Sequence, residues 1–151
     1  MIEPLSQQHA LEIANTWYYE APYDFYDMKN DLEDYEEIIS PEARGDRYYQ
    51  VLREGKLYGF FCLEQKGERN LELGLGMKPE HCGKGQGTSF LQEILDFIME
   101  NFAPQVISLS VADFNHRAQQ LYLNTGFEVV RRIPQESNGD IHLFVEMKKG
   151  I

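Results

Sequence analysis

Three glycines stand at alternate positions, Gly83, Gly85 and Gly87, in the stretch EHCGKGQGTSFLQEIL. Apolar side chains follow them at helical spacing, which predicts an amphipathic helix ending near Phe102. The first turn of a helix has four unpaired backbone N–H groups and the positive end of the helix dipole. Because glycine lets the backbone come close to an anion, this pattern predicts a phosphate-binding loop at the start of the helix.

The sequence around these glycines narrows the choice of phosphate ligand. Lys84 adds positive charge to the loop and Thr88 adds a hydroxyl. A dinucleotide fingerprint needs glycine at the sixth position from Gly83, where Thr88 stands, and a Walker loop needs a Gly-Lys-Ser/Thr ending that is absent. A glycine-rich turn that merely starts a helix is the remaining alternative.

Length and composition predict a single domain over residues 1–151. Hydrophobic residues make up 42% of the chain, which is enough for a packed core. The sequence has no apolar run long enough to span a bilayer and no signal-peptide pattern, so we expect a soluble, cytoplasmic protein. A domain of this size needs no disulfide, and we expect Cys62 and Cys82 to be free thiols.

The net charge of −11 argues against nucleic acid and anionic membranes as partners. The acidic residues are concentrated in residues 1–40, which hold ten acids and a single base, Lys29. One interpretation is a solvated helix face. The other is an acidic entrance that attracts a cationic substrate.

The order of elements along the chain predicts a mixed fold of seven strands and four helices. A strand comes first, and two helices, three strands, a helix, a strand, a helix and two strands follow it. Ser6 can cap the first helix, and Asn138-Gly139 can join the last two strands in a hairpin. The crossover through the glycine-led helix makes its flanking strands parallel if they are neighbours, within an otherwise antiparallel sheet.

Two stretches resemble motifs of the GNAT superfamily of acyl-CoA-dependent N-acetyltransferases. CGKGQG, residues 82–87, is similar to the family's pyrophosphate loop, Arg/Gln-x-x-Gly-x-Gly/Ala. NHRAQQLYLNTGF resembles its second motif, in which Asn-x-Arg-Ala precedes Leu-Tyr and Gly-Phe, and LGLGMKPEH resembles its fourth strand. Cys82 departs from the pattern, because it stands where the family has Arg or Gln. This change removes a side-chain contact but no backbone donor.

The resemblance implies an α/β (α+β) fold of three layers, with a mostly antiparallel seven-stranded sheet flanked by about four helices. The fourth and fifth strands would be parallel and splay apart, with the pantetheine arm of acetyl-CoA between them. We call residues 82–88 the glycine loop. The residues expected to contact acetyl-CoA are Leu75, Gly76, Met77, Cys82, Gly83, Lys84, Gly85, Gln86, Gly87, Thr88 and Asn115.

The resemblance also assigns catalytic roles in a direct transfer, in which a neutral amine attacks the acetyl carbonyl and the CoA thiolate leaves. Tyr122 matches the family's general acid, and the alternative is a packed core aromatic. Glu72 is the expected general base, acting directly or through water, and the alternative is an exposed strand residue. Asn115 matches a pantetheine contact, or it only caps its helix. The histidines show no metal-ligand spacing, so we expect no metal.

The function expected from the resemblance is N-acetyl transfer from acetyl-CoA to a primary amine of a small molecule or peptide. A non-catalytic CoA-binding sensor and an interaction module are the alternatives. The segment WYYEAPYDFYDM places Tyr23, Phe25 and Tyr26 among acids, which suggests a pocket for a cationic acceptor. A homodimer is a further open alternative.

Overall fold

The computed structural model describes residues 1–151 and contains seven strands, five α-helices and three short 3₁₀ helices. The strands are β1 (Ile2–Pro4), β2 (Tyr48–Arg53), β3 (Lys56–Gln65), β4 (Asn70–Met77), β5 (Val106–Ala112), β6 (Glu128–Ser137) and β7 (Asp140–Gly150). The α-helices are α1 (Gln7–Thr16), α2 (Leu32–Ile39), α3 (Pro41–Arg44), α4 (Gly87–Asn101) and α5 (His116–Asn124). The 3₁₀ helices are Tyr23–Tyr26, Met28–Asn30 and Pro79–His81.

All seven strands belong to one sheet, in the order β1-β2-β3-β4-β5-β7-β6. β2 pairs antiparallel with β1 and β3, and β5 pairs antiparallel with β7. β4 and β5 form the parallel pair, with residues 70–72 opposite residues 106–108. The predicted fold class, a mostly antiparallel seven-stranded sheet with a parallel pair formed by the fourth and fifth strands, is therefore confirmed.

Residue contacts divide the chain into two compact units. The first contains Met1–Cys62, Leu75–Cys82 and Glu136–Asp140. The second contains Leu63–Gly74, Gly83–Gln135 and Ile141–Ile151. The expectation of a single domain over residues 1–151 stays a prediction.

The core of the first unit is built on α1, α2 and the strands β2 and β3. One side of α1 is buried through Ala10, Ile13 and Ala14. Trp17 follows the helix and lies 5.9 Å from the ring of Phe60 on β3, measured between ring centroids. Apolar side chains at helical spacing therefore form this core, as the sequence pattern predicts.

The core of the second unit combines α4 with the buried faces of β5 and β7. The first helix of this unit, α4, buries one apolar stripe. The strands β5 and β7 contribute alternate residues to this core, as expected of a sheet whose one face is buried. The buried side chains of α4, β5 and β7 include Phe90, Leu91, Ile94, Leu95, Ile98, Ile107, Leu109, Val111, Val145 and Met147.

The helix α3 is absent from the sequence prediction, which places only the end of a helix at Ser40-Pro41. In the structure α2 does end there, but Ser40 also begins a new helix. The Ser40 side chain accepts a hydrogen bond from the Ala43 N–H, and Pro41 occupies the first turn, where its missing N–H costs nothing.

Two further expectations from the sequence concern disulfides and membrane-spanning helices. Cys62 and Cys82 form no disulfide. None of the helices is both long and apolar enough to cross a membrane.

Acidic side chains crowd the start of α2. Partial desolvation at the start of α2, and then the neighbouring carboxylates of Asp31, Glu37 and Glu33, raise the pKa of Asp34 from 3.8 to about 6. The folded protein therefore keeps a proton on Asp34 at pH values where the unfolded chain has lost it. Stability linked to this group is present below about pH 4 and is lost as the pH rises to about 6.

We predict that Asp34→Asn removes the part of the pH dependence of folding stability that comes from protonation of Asp34. The melting temperature of the variant, relative to that of the original chain, should rise between pH 4 and pH 7, because asparagine does not titrate. Melting curves at half-unit pH steps measure the difference. Glu36→Gln on the same helix is the control, because Glu36 is not among the groups that perturb Asp34. A difference in melting temperature that stays constant across this range would contradict the prediction.

Candidate active site

The backbone of the glycine loop curls in the way that the sequence suggests. Gly83 and Gly85 have φ angles of +72° and +74°, in the left-handed region that favours glycine. Gln86, between Gly85 and the helix, has right-handed α geometry. Alternation of left- and right-handed residues turns successive N–H groups toward one point, which is the backbone arrangement of many anion sites.

Helix α4, which follows the loop, begins without a capping side chain. The other four α-helices are each capped by a side-chain oxygen, from Ser6, Asp31, Ser40 and Asn115 respectively. No such bond is made at the start of α4, and its first turn carries no acidic residue. The first amides of α4 therefore combine a positive dipole end with no side-chain acceptor, which suits an anionic ligand.

Helix α5 runs beside this loop within the second unit. The guanidinium of Arg117 lies 3.4 Å from the place where a Cβ atom at Gly83 would be. One helical turn later, the side chain of Leu121 lies 3.1 Å from the corresponding place at Gly87. A side chain at Gly87 would therefore require Leu121 to shift by a few tenths of an ångström, and Arg117 adds a positive charge next to the loop.

Tyr122 follows Leu121 on α5 and is buried, with 8% of its surface exposed. Its ring packs edge-on against Phe127, with 5.8 Å between the ring centroids. The burial agrees with the alternative of a packed core aromatic. The catalytic role of Tyr122 stays a prediction.

Asn115 caps α5. Its side-chain oxygen accepts a hydrogen bond of 3.0 Å from the Ala118 N–H, and the residue is buried. The capping role considered from the sequence is thus present in the structure. A pantetheine contact, which stays a prediction, would fall to the side-chain nitrogen because the oxygen is used by the cap.

Glu72 lies in a polar cavity of about 250 Å³ within the second unit. It stands opposite Ser108 in the parallel ladder, and its neighbours Leu71 and Leu73 are buried on the other face of β4. The cavity is lined by Lys66, Asn70, Glu72, Ser108, Leu109, Ser110, Gln135, Glu146 and Lys148. A carboxylate in such a cavity can accept a proton directly or through water, so the structure is compatible with the predicted base.

The end of β4 belongs to the first unit and carries the predicted pantetheine contacts Leu75, Gly76 and Met77. A Cβ atom at Gly76 would lie 2.5 Å from the ring of Phe60. The ring of Phe60 fills this side of the strand, so a ligand contact at Gly76 would be made through the backbone.

Cys82 directs its thiol toward the chain that precedes it. Its Sγ atom lies 3.7 Å from the Met77 carbonyl oxygen and 3.6 Å from that of Lys78. The residue that departs from the family pattern therefore contacts the end of β4, and its part in binding acetyl-CoA stays a prediction.

The aromatic residues proposed for the acceptor lie on one 3₁₀ helix of the first unit. Phe25 and Tyr26 pack edge to face, with 5.4 Å between ring centroids, and Tyr23 begins the same helix. The carbonyl of Phe25 accepts a hydrogen bond of 2.8 Å from the Asn138 side chain, in the turn of the last hairpin. Their role in acceptor binding stays a prediction.

Sequence reasoning missed two contacts made with residues that are predicted to bind acetyl-CoA. Arg117 is visible in the sequence as the arginine of NHRA, but only the packing of α5 places it beside Gly83. Tyr19 donates a hydrogen bond to the Met77 carbonyl. No local signal could have indicated this contact, because the two residues are distant in sequence. No cluster of three or more metal-ligating side chains is present.

A curled glycine loop that leads into a helix without a side-chain cap is an arrangement typical of proteins that bind phosphorylated ligands. The chain belongs to the acetyltransferase (GNAT) family, whose model matches residues 9–127. The resemblance of the two motifs is therefore confirmed. The chain is accordingly an N-acetyltransferase by family, and its donor is acetyl-CoA.

Solved structures with the same fold include several forms of the spermidine N-acetyltransferase SpeG from Vibrio cholerae. A chimera of SpeG and hSSAT is 22% identical, with a TM-score of 0.80 over 99% of this chain and 94% of that one. The complex of the Vibrio cholerae enzyme with CoA and spermine is 21% identical, with a TM-score of 0.74 over 98% and 93%. At this identity the likeness establishes the fold alone. No curated protein sequence matches the chain significantly.

We predict that Gly85→Val abolishes most acetyl-CoA binding. A Cβ atom at Gly85 would meet no other atom, so the cost to folding is the left-handed backbone strain of about 1–2 kcal/mol. The valine side chain would stand in the predicted phosphate position. Affinity measured by calorimetry should fall at least about tenfold, since one hydrogen bond to a charged group is worth roughly 1.5–3 kcal/mol.

Gly55→Val is the matched control. Gly55 has a φ angle of +76°, and a Cβ atom there would also meet nothing, but it lies in the turn between β2 and β3. Both variants should lose similar stability, and only Gly85→Val should lose binding. Equal affinity of the two variants for acetyl-CoA would reject the loop as the phosphate site.

Proposed function

We propose that the chain holds the pyrophosphate of acetyl-CoA on the glycine loop and transfers the acetyl group directly to a cationic primary amine. The observation that most supports binding of the pyrophosphate is the uncapped start of α4. Among the five α-helices, α4 alone lacks a side-chain acceptor at its N-terminus, so its first amides can donate to an anion. The curled backbone at Gly83 and Gly85 and the adjacent guanidinium of Arg117 support it.

The proposed chemistry requires two proton transfers. The acceptor must lose a proton to become a neutral amine, and its nitrogen then attacks the acetyl carbonyl. The tetrahedral intermediate collapses, the carbon–sulfur bond breaks, and the CoA thiolate takes a proton. Tyr122 is the proposed donor of that proton, and solvent afterwards restores the phenol.

Glu72 is the proposed acceptor of the amine proton, directly or through water. Its position in a cavity of about 250 Å³ supports a water-mediated route, because this volume holds several molecules of water. Ser108, opposite Glu72 in the ladder, donates a hydrogen bond of 3.4 Å to Asn70 in the same cavity. Such polar neighbours can orient the water that relays the proton.

The acceptor is proposed to carry positive charge beyond the reacting amine. The acids of residues 1–40 belong to the first unit and outnumber the bases of that segment ten to one. The ammonium of Lys29 lies over the ring of Tyr18, 5.8 Å from its centroid, so an ammonium already binds an aromatic ring in this segment. The spermidine acetyltransferase of the same fold, crystallised with CoA and spermine, adds an analogy.

We predict that Tyr122→Phe lowers kcat at least about tenfold while acetyl-CoA affinity changes little. Phenylalanine keeps the ring and its packing on Phe127 and removes only the proton donor. General acid catalysis is typically worth about 100- to 10,000-fold, and loss of an interaction made in the transition state lowers kcat rather than binding. Thiol release and calorimetry measure the two quantities. Full activity with chemistry shown to be rate-limiting would leave Tyr122 as a packed aromatic only.

We predict that 1,4-diaminobutane is a better acceptor than 1-aminobutane, which has the same carbon chain and lacks the second ammonium. The ratio of their kcat/KM values should exceed one and should fall as sodium chloride is added, because the screening length shrinks from about 8 Å at 0.15 M to about 3 Å at 1 M. A larger kcat/KM for the monoamine, or a ratio independent of salt, would reject a cationic acceptor.

A further inference from the structure

The hydroxyl of Tyr19 reaches the last residue of β4. It donates a hydrogen bond of 2.8 Å to the Met77 carbonyl oxygen. Tyr19 itself is fixed from the other side, since its backbone N–H donates a hydrogen bond of 2.9 Å to the Asp27 carboxylate. A residue just beyond α1 therefore holds the end of β4, and both belong to the first unit.

The bond from Tyr19 is one of two that hold a single peptide group. The Lys78 N–H, which shares a planar peptide group with the Met77 carbonyl, donates a hydrogen bond of 2.9 Å to the Tyr58 carbonyl on β3. The group is thus held at its oxygen by Tyr19 and at its nitrogen by β3. It cannot rotate without breaking one of these bonds.

The direction of the Met77 carbonyl places it on the functional edge of β4. In an extended strand, the backbone groups of successive residues point to alternate edges. Since Lys78 points to β3, Met77 and Leu75 point to the opposite edge. The ladder that this edge forms with β5 pairs residues 70–72 only. Since the family resemblance implies that the pantetheine arm of acetyl-CoA contacts Leu75, Gly76 and Met77, the amides of Leu75 and Met77 on this edge are the ones that would meet the acetyl thioester.

The surroundings keep Tyr19 in the donor form. Burial, and then the nearby Cys82 and Asp27, raise its pKa well above the ordinary value of a phenol. The Cys82 thiol approaches the same Met77 carbonyl at 3.7 Å, and the ring of Phe60 lies against the strand at Gly76. The end of β4 is thereby held at neighbouring points, through the Met77 carbonyl oxygen on this edge and through the face of the strand at Gly76.

We propose that Tyr19 is a positioning residue of the donor site. By holding the Met77 carbonyl it fixes the orientation of the amides that bind the acetyl thioester and stabilise the oxyanion formed from it. This inference rests on the proposed function and adds to it a residue that neither motif contains. It also gives Tyr19 a different task from acceptor binding, because its hydroxyl is used within the protein.

Tyr19→Phe tests this role, since it keeps the ring and removes only the hydroxyl. We expect kcat to fall about tenfold or more, because a small misplacement of groups at the reacting centre is costly. Affinity for CoA, which has no acetyl group, should not change, since the glycine loop is untouched. Affinity for acetyl-CoA should fall about fivefold relative to CoA, the size of one typical hydrogen bond.

Tyr35→Phe is the matched control. The Tyr35 hydroxyl also makes a hydrogen bond within the first unit, of 2.9 Å, but to the Asn15 side chain on α1 rather than to β4. It should keep both kcat and the affinity ratio. Melting curves of both variants show whether the loss of a buried hydrogen bond alone affects stability.

The possible outcomes separate this inference from the proposed function. Unchanged kcat and an unchanged affinity ratio in Tyr19→Phe, or an equal loss in Tyr35→Phe, would overturn the positioning role. If the original chain binds acetyl-CoA and transfers nothing, the proposed function fails, and the affinity ratio still decides whether Tyr19 orients the thioester site. An original chain that binds neither CoA nor acetyl-CoA would overturn both.

Discussion

The parallel pairing of β4 with β5 covers three residue pairs, 70–72 with 106–108, and the rest of the structure depends on where it ends. Parallel neighbours cannot be joined by a tight turn, so the chain must leave β4 and return through a long crossover. Here the crossover consists of the glycine loop and α4. Because β4 continues to Met77 beyond the ladder, its later backbone groups require other partners, and Tyr19 supplies one of them.

The donor side of the proposed site is built mainly from backbone groups. The curled amides of the loop, the uncapped start of α4 and the free edge of β4 are all main-chain features. Side chains act by shaping or holding that main chain: Tyr19 fixes a carbonyl, and Phe60 fills the side of Gly76. Under the proposal, such a site would depend little on the side chain at the head of the loop, where Cys82 stands in place of the family's arginine or glutamine.

Local sequence signals predicted the elements, and contacts between distant residues decided the details of the site. The cap at Ser6, the apolar stripe of α4 and the hairpin turn at Asn138-Gly139 are each specified by a few adjacent residues, and the structure has all three. Short α3 was missed because a proline after a helix indicates a stop as readily as a new start. The contact of Phe60 with Gly76 could not be foreseen, since it depends on how two strands pack side by side.

The central claim is direct transfer of an acetyl group from acetyl-CoA to an amine. The most direct test is a time course in which mass spectrometry follows CoA, the acetylated amine and the intact protein, with and without 1,4-diaminobutane. The account predicts equimolar CoA and acetylated amine only when the amine is present, and no acetylated protein at any time. Binding of acetyl-CoA without any product, or release of CoA with formation of an acetylated protein before the amine is added, would contradict it.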